Sequence, residues 1–252
     1  MTVDNFTSNR AVISLSGGMD STMLLMHLLA NGMEVRAYSF YYGQKHSIEL
    51  KKVKKNIKFL QSKGFKIEHQ IIDLESAFSG NTSSLVASTG IDIPHGHYAA
   101  DNMKSTVVPL RNVIFSSIIY SKAINWAIQT RDNVLITLGL HSGDHFIYSD
   151  CRPESQEACK KAFEISDDNS DKVDYIAPFI NIDKGQVLKA GLDAMDKLGF
   201  TKTEKNKILR NTHTCYDPNE KGESCGLCGS CTERLEAFAA NNIKDPIKYQ
   251  QH

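Results

Sequence analysis

The sequence predicts an α/β fold, a parallel sheet with helices on both faces, followed by a small cysteine-bearing C-terminal subdomain. Three observations lead there. Short apolar or β-branched runs alternate with stretches of helical periodicity, the pattern of strands joined by crossover helices. A Gly-Gly loop joins the first such run directly to the first helical stretch. Four of the six cysteines stand within residues 215–231, beyond the last strand and helix of the alternating pattern. The division expected is a domain over 1–204 and a helical subdomain over 205–252.

Each element has its own signal. Ala11 to Leu15 is the first strand, and the amphipathic stretch Thr22 to Ala30 the first helix, closed by Asn31-Gly32. Val35 to Tyr41 is β-rich and aromatic, the second strand. Leu50, Val53, Ile57 and Leu60 recur at helical spacing, and Lys51, Lys52, Lys54, Lys55 and Lys58 fall elsewhere on that helix as a solvated face. Lys63-Gly64 ends it, and Lys66 to Asp73 is the third strand. From Leu74 to Ser105 no period is sustained, and a loop that long is commonly a lid or binding segment. Within it His95-Gly96-His97 lacks a nearby thiol or carboxylate and reads as surface or substrate-side polar groups. Asn112 to Gln129 is a long apolar helix, Val134 to Leu138 a strand ending at Gly139, Pro153 to Glu164 a helix, Val173 to Ile176 a weaker strand, and Lys184 to Leu198 a helix ending before Gly199. In such sheets ligands gather beyond the carboxyl ends of the strands, so the Ser16 loop, Tyr42, Gly139 to Asp150 and the segment after Ala177 are expected to meet at one cleft.

Composition narrows the function. The 252 residues are 41% hydrophobic and 23% charged, enough for a full core. Lys+Arg and Asp+Glu number 29 each, so no basic footprint argues for nucleic acid and a small substrate is expected. No apolar run approaches the roughly 18 residues of a membrane span, and Met1 to Thr7 lacks a charged region before an apolar core, so a cytoplasmic protein is expected.

The loop Ser16-Gly17-Gly18-Met19-Asp20-Ser21 carries the clearest chemistry. Two glycines let the backbone approach an oxyanion, the N–H groups of the helix start point at it, and the helix dipole favours its charge. Ser16 and Ser21 add hydroxyl donors, and Thr22 stands beside them. Asp20 fits a Mg²⁺ ligand next to bound phosphates. Neither Gly-Lys-[Ser/Thr] nor Gly-x-Gly-x-x-Gly is present, which excludes the P-loop and dinucleotide fingerprints. The loop resembles instead the PP-loop, Ser-Gly-Gly-x-Asp-Ser, of the ATP pyrophosphatases. That resemblance implies an adenine nucleotide alpha hydrolase-like fold with ATP as cosubstrate.

Cys215, Cys225, Cys228 and Cys231 have the spacing of a closed tetrahedral Zn²⁺ site, structural and one per chain. An iron–sulfur cluster uses the same kind of thiol set. Cys151 has no adjacent histidine to activate it, and Cys159 reads as a buried apolar filler.

Three further blocks, Ser105-Thr-Val-Val-Pro109-Leu-Arg111-Asn112, Asp150-Cys151-Arg152-Pro153-Glu154 and Thr212-His-Thr214-Cys215-Tyr216, join Tyr42-Gly43-Gln44-Lys45-His46 and the loop. In this order they resemble the 7-cyano-7-deazaguanine synthases, from about residue 11 to residue 235. The resemblance implies that a 7-carboxy-7-deazaguanine carboxylate is adenylated, displaced by ammonia to an amide, and activated again to a nitrile. It also implies a structural zinc and a homodimer.

Bringing two anions together needs cations, and Arg111 and Lys184 are the candidates beside Asp20. Tyr42, Asn112, Asp144, Asp150 and Arg152 are the candidate substrate contacts, with Asp144 and Asp150 offering carboxylates to a guanine-like edge. Two departures stand out. Leu110 occupies a position where Gly or Ala commonly precedes the Arg-Asn pair, and Ser149 stands where Pro is frequent before the Asp. A bulky Leu110 is expected to reshape the base pocket. Coupling to a different amine, for instance that of a protein acceptor in an antiviral system, therefore stays open, as does a zinc-bearing binding module without catalysis.

Overall fold

The computed structural model describes residues 8–96 and 101–251. His97 and the first seven residues lie outside the described residues, and with them the expectations placed there. Five strands, β1 (Arg10–Ser14), β2 (Glu34–Tyr41), β3 (Ile67–Asp73), β4 (Val134–Thr137) and β5 (Val173–Ile176), form one all-parallel sheet in the order β3-β2-β1-β4-β5. The chain order reverses between β1 and β4. A crevice opens at that switch point beyond the carboxyl ends of the strands.

Alternation along the strands divides the core. Ala11, Ile13, Val35, Ala37 and Leu135 pack against α1 (Met19–Ala30), α2 (Ile48–Ser62), α5 (Lys184–Lys197), α6 (Lys202–Arg210) and α7 (Gly229–Ala240). Val12, Ile136, Val173 and Tyr175 face the other way, onto α3 (Arg111–Thr130) and the region of α4 (Pro153–Glu164). The central strands β1 and β4 are buried on both faces, as parallel sheets require, while the edge strand β3 leaves Glu68, Gln70 and Asp73 exposed. The stretch Asn102–Thr130 is long and apolar enough to cross a membrane by length and composition, contrary to the expectation that no run comes close. Its α-helical part, α3, is a core helix, with Ile119, Ala123, Trp126 and Ala127 buried against the sheet.

Three further differences from the sequence reading matter to the site. Helix α1 begins at Met19, because Gly18 is its N-cap, so Asp20 and Ser21 sit in the first helical turn rather than in the loop. The long segment after β3 is a brace: Lys45 N donates to Leu85 O at 3.0 Å and Ala87 N to Gly43 O at 2.8 Å. Leu85 and Val86 are buried behind the Tyr42–His46 turn, and none of the segment's described residues lines the crevice. Finally, the 204/205 boundary falls inside α6, and α7 packs on α5.

The tail is held by a buried ion pair. Arg234, on α7 and fully buried, donates from Nε and Nη2 to the two oxygens of Asp245 at 2.6 and 3.0 Å, and from Nη1 to Thr212 Oγ1 at 2.7 Å. Such fork geometry satisfies a guanidinium that burial alone would penalise. Leu227, between the thiols, accepts from Gly96 N at 2.9 Å, and Asp217 meets His95 Nε2 at 3.1 Å, tying the brace to the tail.

Candidate active site

The crevice is lined at one end by Ser16, Gly18, Asp20, Ser21, Gly139, Asp144 and Lys184. Gly17 plays a different part. Its φ of +95° and a Cβ position 2.7 Å from Glu49 O admit only glycine there, and its carbonyl accepts from His213 N at 2.9 Å. Gly18 is the residue that bares backbone to the crevice. Gly139 lets the end of β4 come up to the loop, since a Cβ would stand 3.0 Å from Ser21 Cα and N. Ser16 Oγ lies 3.1 Å from Ser21 Oγ, so two hydroxyls converge at the amino end of α1. Thr22 does not join them. Its hydroxyl turns back to Gly18 O at 2.7 Å and the residue is buried in the helix.

Charge at this end is organised around a buried lysine. Lys184 Nζ lies 3.0 Å from Glu233 Oε2 and 3.5 Å from Asp20 Oδ2. Burial opposes its charge, but Asp20, Glu233 and Asp144 outweigh burial and raise its affinity for the proton above the ordinary lysine range. Asp20 is held in turn below its ordinary range, because Lys184 and then His141 overcome the cost of burial. His141 Nδ1 accepts from Gly143 N at 3.1 Å, which assigns the ring proton to Nε2. That Nε2 stands 3.9 Å from Asp20 Oδ2 and 3.7 Å from Asp144 Oδ1.

At the other end the wall is aromatic. Phe40 and Phe115 stack with centroids 4.0 Å apart at 11°, and Tyr42, Tyr148 and Tyr216 complete it. Arg111 points into this end, Nη1 donating to Tyr42 Oη at 3.3 Å, its guanidinium 5.9 and 5.7 Å from the Tyr42 and Tyr148 ring centroids. Among the described residues no carboxylate lies within ion-pair distance of Arg111. Burial pushes all three phenols up, so they remain neutral beside it.

Two predicted substrate contacts are placed elsewhere. Asp150 accepts from Asn112 N at 2.9 Å and Asn112 Nδ2 at 3.1 Å, so both its oxygens hold the start of α3, and Asn112, not Asp150, lines the crevice. Arg152 donates from Nε to His145 O at 3.1 Å and lines a separate groove with Phe146, Glu154 and Glu236. Leu110 is 63% exposed and does not line the crevice, although it takes φ +54° immediately before Arg111. Its left-handed backbone is one that glycine adopts without the Cβ clash that leucine carries. Cys151 lines the crevice, but burial pushes its thiol well up, which disfavours the thiolate a nucleophile needs. Cys159 is half-buried rather than a core filler.

The Ser16–Ser21 segment, a lysine anchored by two carboxylates and an arginine above an aromatic wall share one crevice. Over residues 10–242 the chain matches the family described as queuosine biosynthesis protein QueC. The chain belongs to the QueC family. A 7-cyano-7-deazaguanine synthase from Marinomonas sp. is 42% identical over 247 residues, covering 96% of this chain and 99% of the relative. Synthases of the same kind from Colwellia psychrerythraea and Caldicellulosiruptor saccharolyticus are 42% and 41% identical, covering 95% and 96% of this chain and 98% and 96% of theirs.

In this QueC chain the four tail thiols form a metal-competent cluster. The Sγ atoms of Cys215, Cys225, Cys228 and Cys231 all lie within 4.8 Å of one another, and all four residues are buried. Tetrahedral zinc–thiolate bonds of about 2.3 Å set the sulfurs about 3.8 Å apart, and Cys225 and Cys231 Sγ stand at 3.9 Å. Backbone N–H groups of Cys225 and Asp217 point at Cys215 Sγ at 3.1 and 3.3 Å, and those of Cys228 and Leu227 at Cys225 Sγ at 3.3 and 3.4 Å. Donors aimed at sulfur favour thiolates. Hydrogen bonding within the cluster holds Cys225 and Cys228 below the ordinary thiol range and Cys215 and Cys231 above it, a competition for protons that a divalent cation removes. The cluster also shapes the crevice, since Tyr216 follows Cys215, Ser230 precedes Cys231, and both line it.

The residues that sequence reading passed over are Glu49, His141, Tyr148, His213 and Glu233. Glu49 and His213 adjoin or lie within motifs already singled out, and His141 and Tyr148 lie in the stretch after β4 expected at the crevice. Glu233 had no signal, because only the packing of α7 on α5 brings it to Lys184.

Proposed function

We propose that this chain is an ATP-dependent carbon–nitrogen ligase that converts 7-carboxy-7-deazaguanine and ammonia to 7-cyano-7-deazaguanine. The observation that carries the reading is membership of the QueC family along nearly the whole chain, with full-length relatives at about 40% identity that bear the synthase name. Neither coupling to a protein amine nor a non-catalytic binding module finds support among them.

The residues give each part of the reaction a place. The N–H groups at the start of α1, with Ser16 and Ser21, would hold the pyrophosphate portion of ATP. Lys184 would face the same oxygens, kept protonated and aimed by Glu233 and Asp20. Asp20 and Asp144 fit as holders of Mg²⁺, since Asp20 Oδ1 is buried without a hydrogen-bond partner and hard cations take carboxylate oxygens. That ion, when bound, would offset charge on the phosphates. Arg111, with no carboxylate at ion-pair distance among the described residues, would take the substrate carboxylate and steady the charge that grows on the α-phosphate as an acyl-adenylate forms. Asn112, aimed by Asp150, would stand beside it. Ammonia then displaces AMP to leave an amide, and a second ATP activates the amide oxygen so that it departs with AMP and the nitrile remains.

The tail over 205–252 is read as a zinc-bearing subdomain that follows the synthase domain over 1–204, with the protein working as a cytoplasmic homodimer. The test is incubation with ATP, Mg²⁺, ammonium and 7-carboxy-7-deazaguanine, followed by mass spectrometry. The nitrile is expected. A stable amide, or a conjugate with another amine and no nitrile under saturating ammonium, would overturn the reading.

A further inference from the structure

A buried acid on the crevice wall has no part in the chemistry described so far. Glu49 stands in the first turn of α2, 7% exposed, and lines the crevice with Ser16, Tyr42 and His46. Its orientation is fixed by Gln44, whose side chain is fully engaged. Gln44 Nε2 donates to Phe40 O at 3.0 Å and Glu49 Oε1 at 3.2 Å, while its Oε1 accepts from Tyr42 N at 2.8 Å.

Among the described residues no lysine or arginine lies within ion-pair distance of Glu49, and the only ring nitrogen near it is His46 Nε2 at 3.7 Å. Burial pushes His46 down to about 3, so that ring is neutral at working pH. Burial likewise pushes the Glu49 carboxyl up to about 8. Gln44 and, at longer range, the Arg111 charge partly offset that burial, but a buried carboxyl with a single strong donor still has hydrogen-bonding capacity that a ligand can satisfy. In its charged form it would repel an anion, and no third metal-ligating atom joins it and His46 among the described residues.

We propose that Glu49 reads the hydrogen-bonding edge of a purine-type base held against the Phe40–Phe115 wall. The proposal rests on the synthase reading, because both substrates of that reaction carry such a base. A carboxyl group suits either one. As an acid it donates to adenine N1 and accepts from the 6-amino group; as a carboxylate it accepts both the ring N–H and the 2-amino group of the deazaguanine. Flat apolar rings beside it match the faces of either base.

The experiment compares wild type, Glu49→Ala and Glu49→Gln, with KM for ATP and for 7-carboxy-7-deazaguanine measured separately. Equilibrium binding of each substrate alone is measured in parallel. Removing one reader is expected to raise one KM at least about tenfold with kcat nearly unchanged. The amide then identifies the base. Glutamine still donates to N1 and accepts from the 6-amino group, so it rescues adenine recognition. It cannot accept two N–H groups in register, so deazaguanine recognition stays lost. Melting temperature and metal content of the isosteric Gln variant report on folding independently. If wild type binds both ligands and Glu49→Ala binds both as tightly with both KM values unmoved, the assignment of Glu49 fails alone. If wild type binds neither, the synthase reading fails as well.

Discussion

At Asp20 one carboxylate serves two partners. One oxygen lies 3.5 Å from Lys184 Nζ, and the other is buried without a partner and faces the place where phosphates would gather. Asp20→Asn keeps the volume and removes the charge, so adenylation, read as AMP release, is expected to fall at least about a hundredfold while the chain still folds, as circular dichroism would show. Near-normal turnover would contradict the role given to it. Leu110 makes the opposite case. Its side chain is exposed while its backbone is left-handed, so Leu110→Gly is expected to raise stability by about 1 kcal/mol and leave kcat/KM unchanged. Chemical denaturation checks the first part, and an altered substrate preference would restore a pocket role for the leucine. The sequence marks residue 110 as unusual, but which way its side chain points depends on the turn that leads into α3. The same limit explains Asp150 and Arg152: both types suit a substrate, and packing directs one to Asn112 and the other to His145 O.

The elements were legible where a single segment carries its own signal. The alternation of strand and helix patterns reads directly as a parallel sheet, and Ser16 to Ser21 reads as a phosphate loop because its geometry is local. Roles that arise from packing between segments were not legible. Glu233 reaches Lys184 only because α7 lies against α5, and the stretch after β3 looks like a lid in sequence but packs as a brace behind Tyr42–His46. The contact that fastens the tail yields a sharp expectation. Asp245→Ala leaves Arg234 buried and uncompensated, which costs about 3–5 kcal/mol. Urea denaturation followed by tryptophan fluorescence and by metal release measures it, and a loss below about 1 kcal/mol would show that the pair is relaxed by solvent.

Across the whole molecule, the thiol cluster and the crevice are one construction. Tyr216 and Ser230 flank metal-competent cysteines and line the site, so a metal bound by those cysteines would govern the shape of the pocket without touching the reaction. Purified protein is expected to hold about one zinc per chain, and Cys228→Ser to lose metal, melting temperature and activity together. Stoichiometric iron with inorganic sulfide would contradict this. The central claim is that one crevice activates the same carbon twice. It is tested most directly with 7-carboxy-7-deazaguanine carrying ¹⁸O in both carboxylate oxygens, in the presence of ATP, Mg²⁺ and ammonium. Each activation passes one substrate oxygen to the α-phosphate, so the account predicts two singly ¹⁸O-labelled AMP molecules for every nitrile formed. Unlabelled AMP, or a single labelled AMP beside an amide that goes no further, would contradict it.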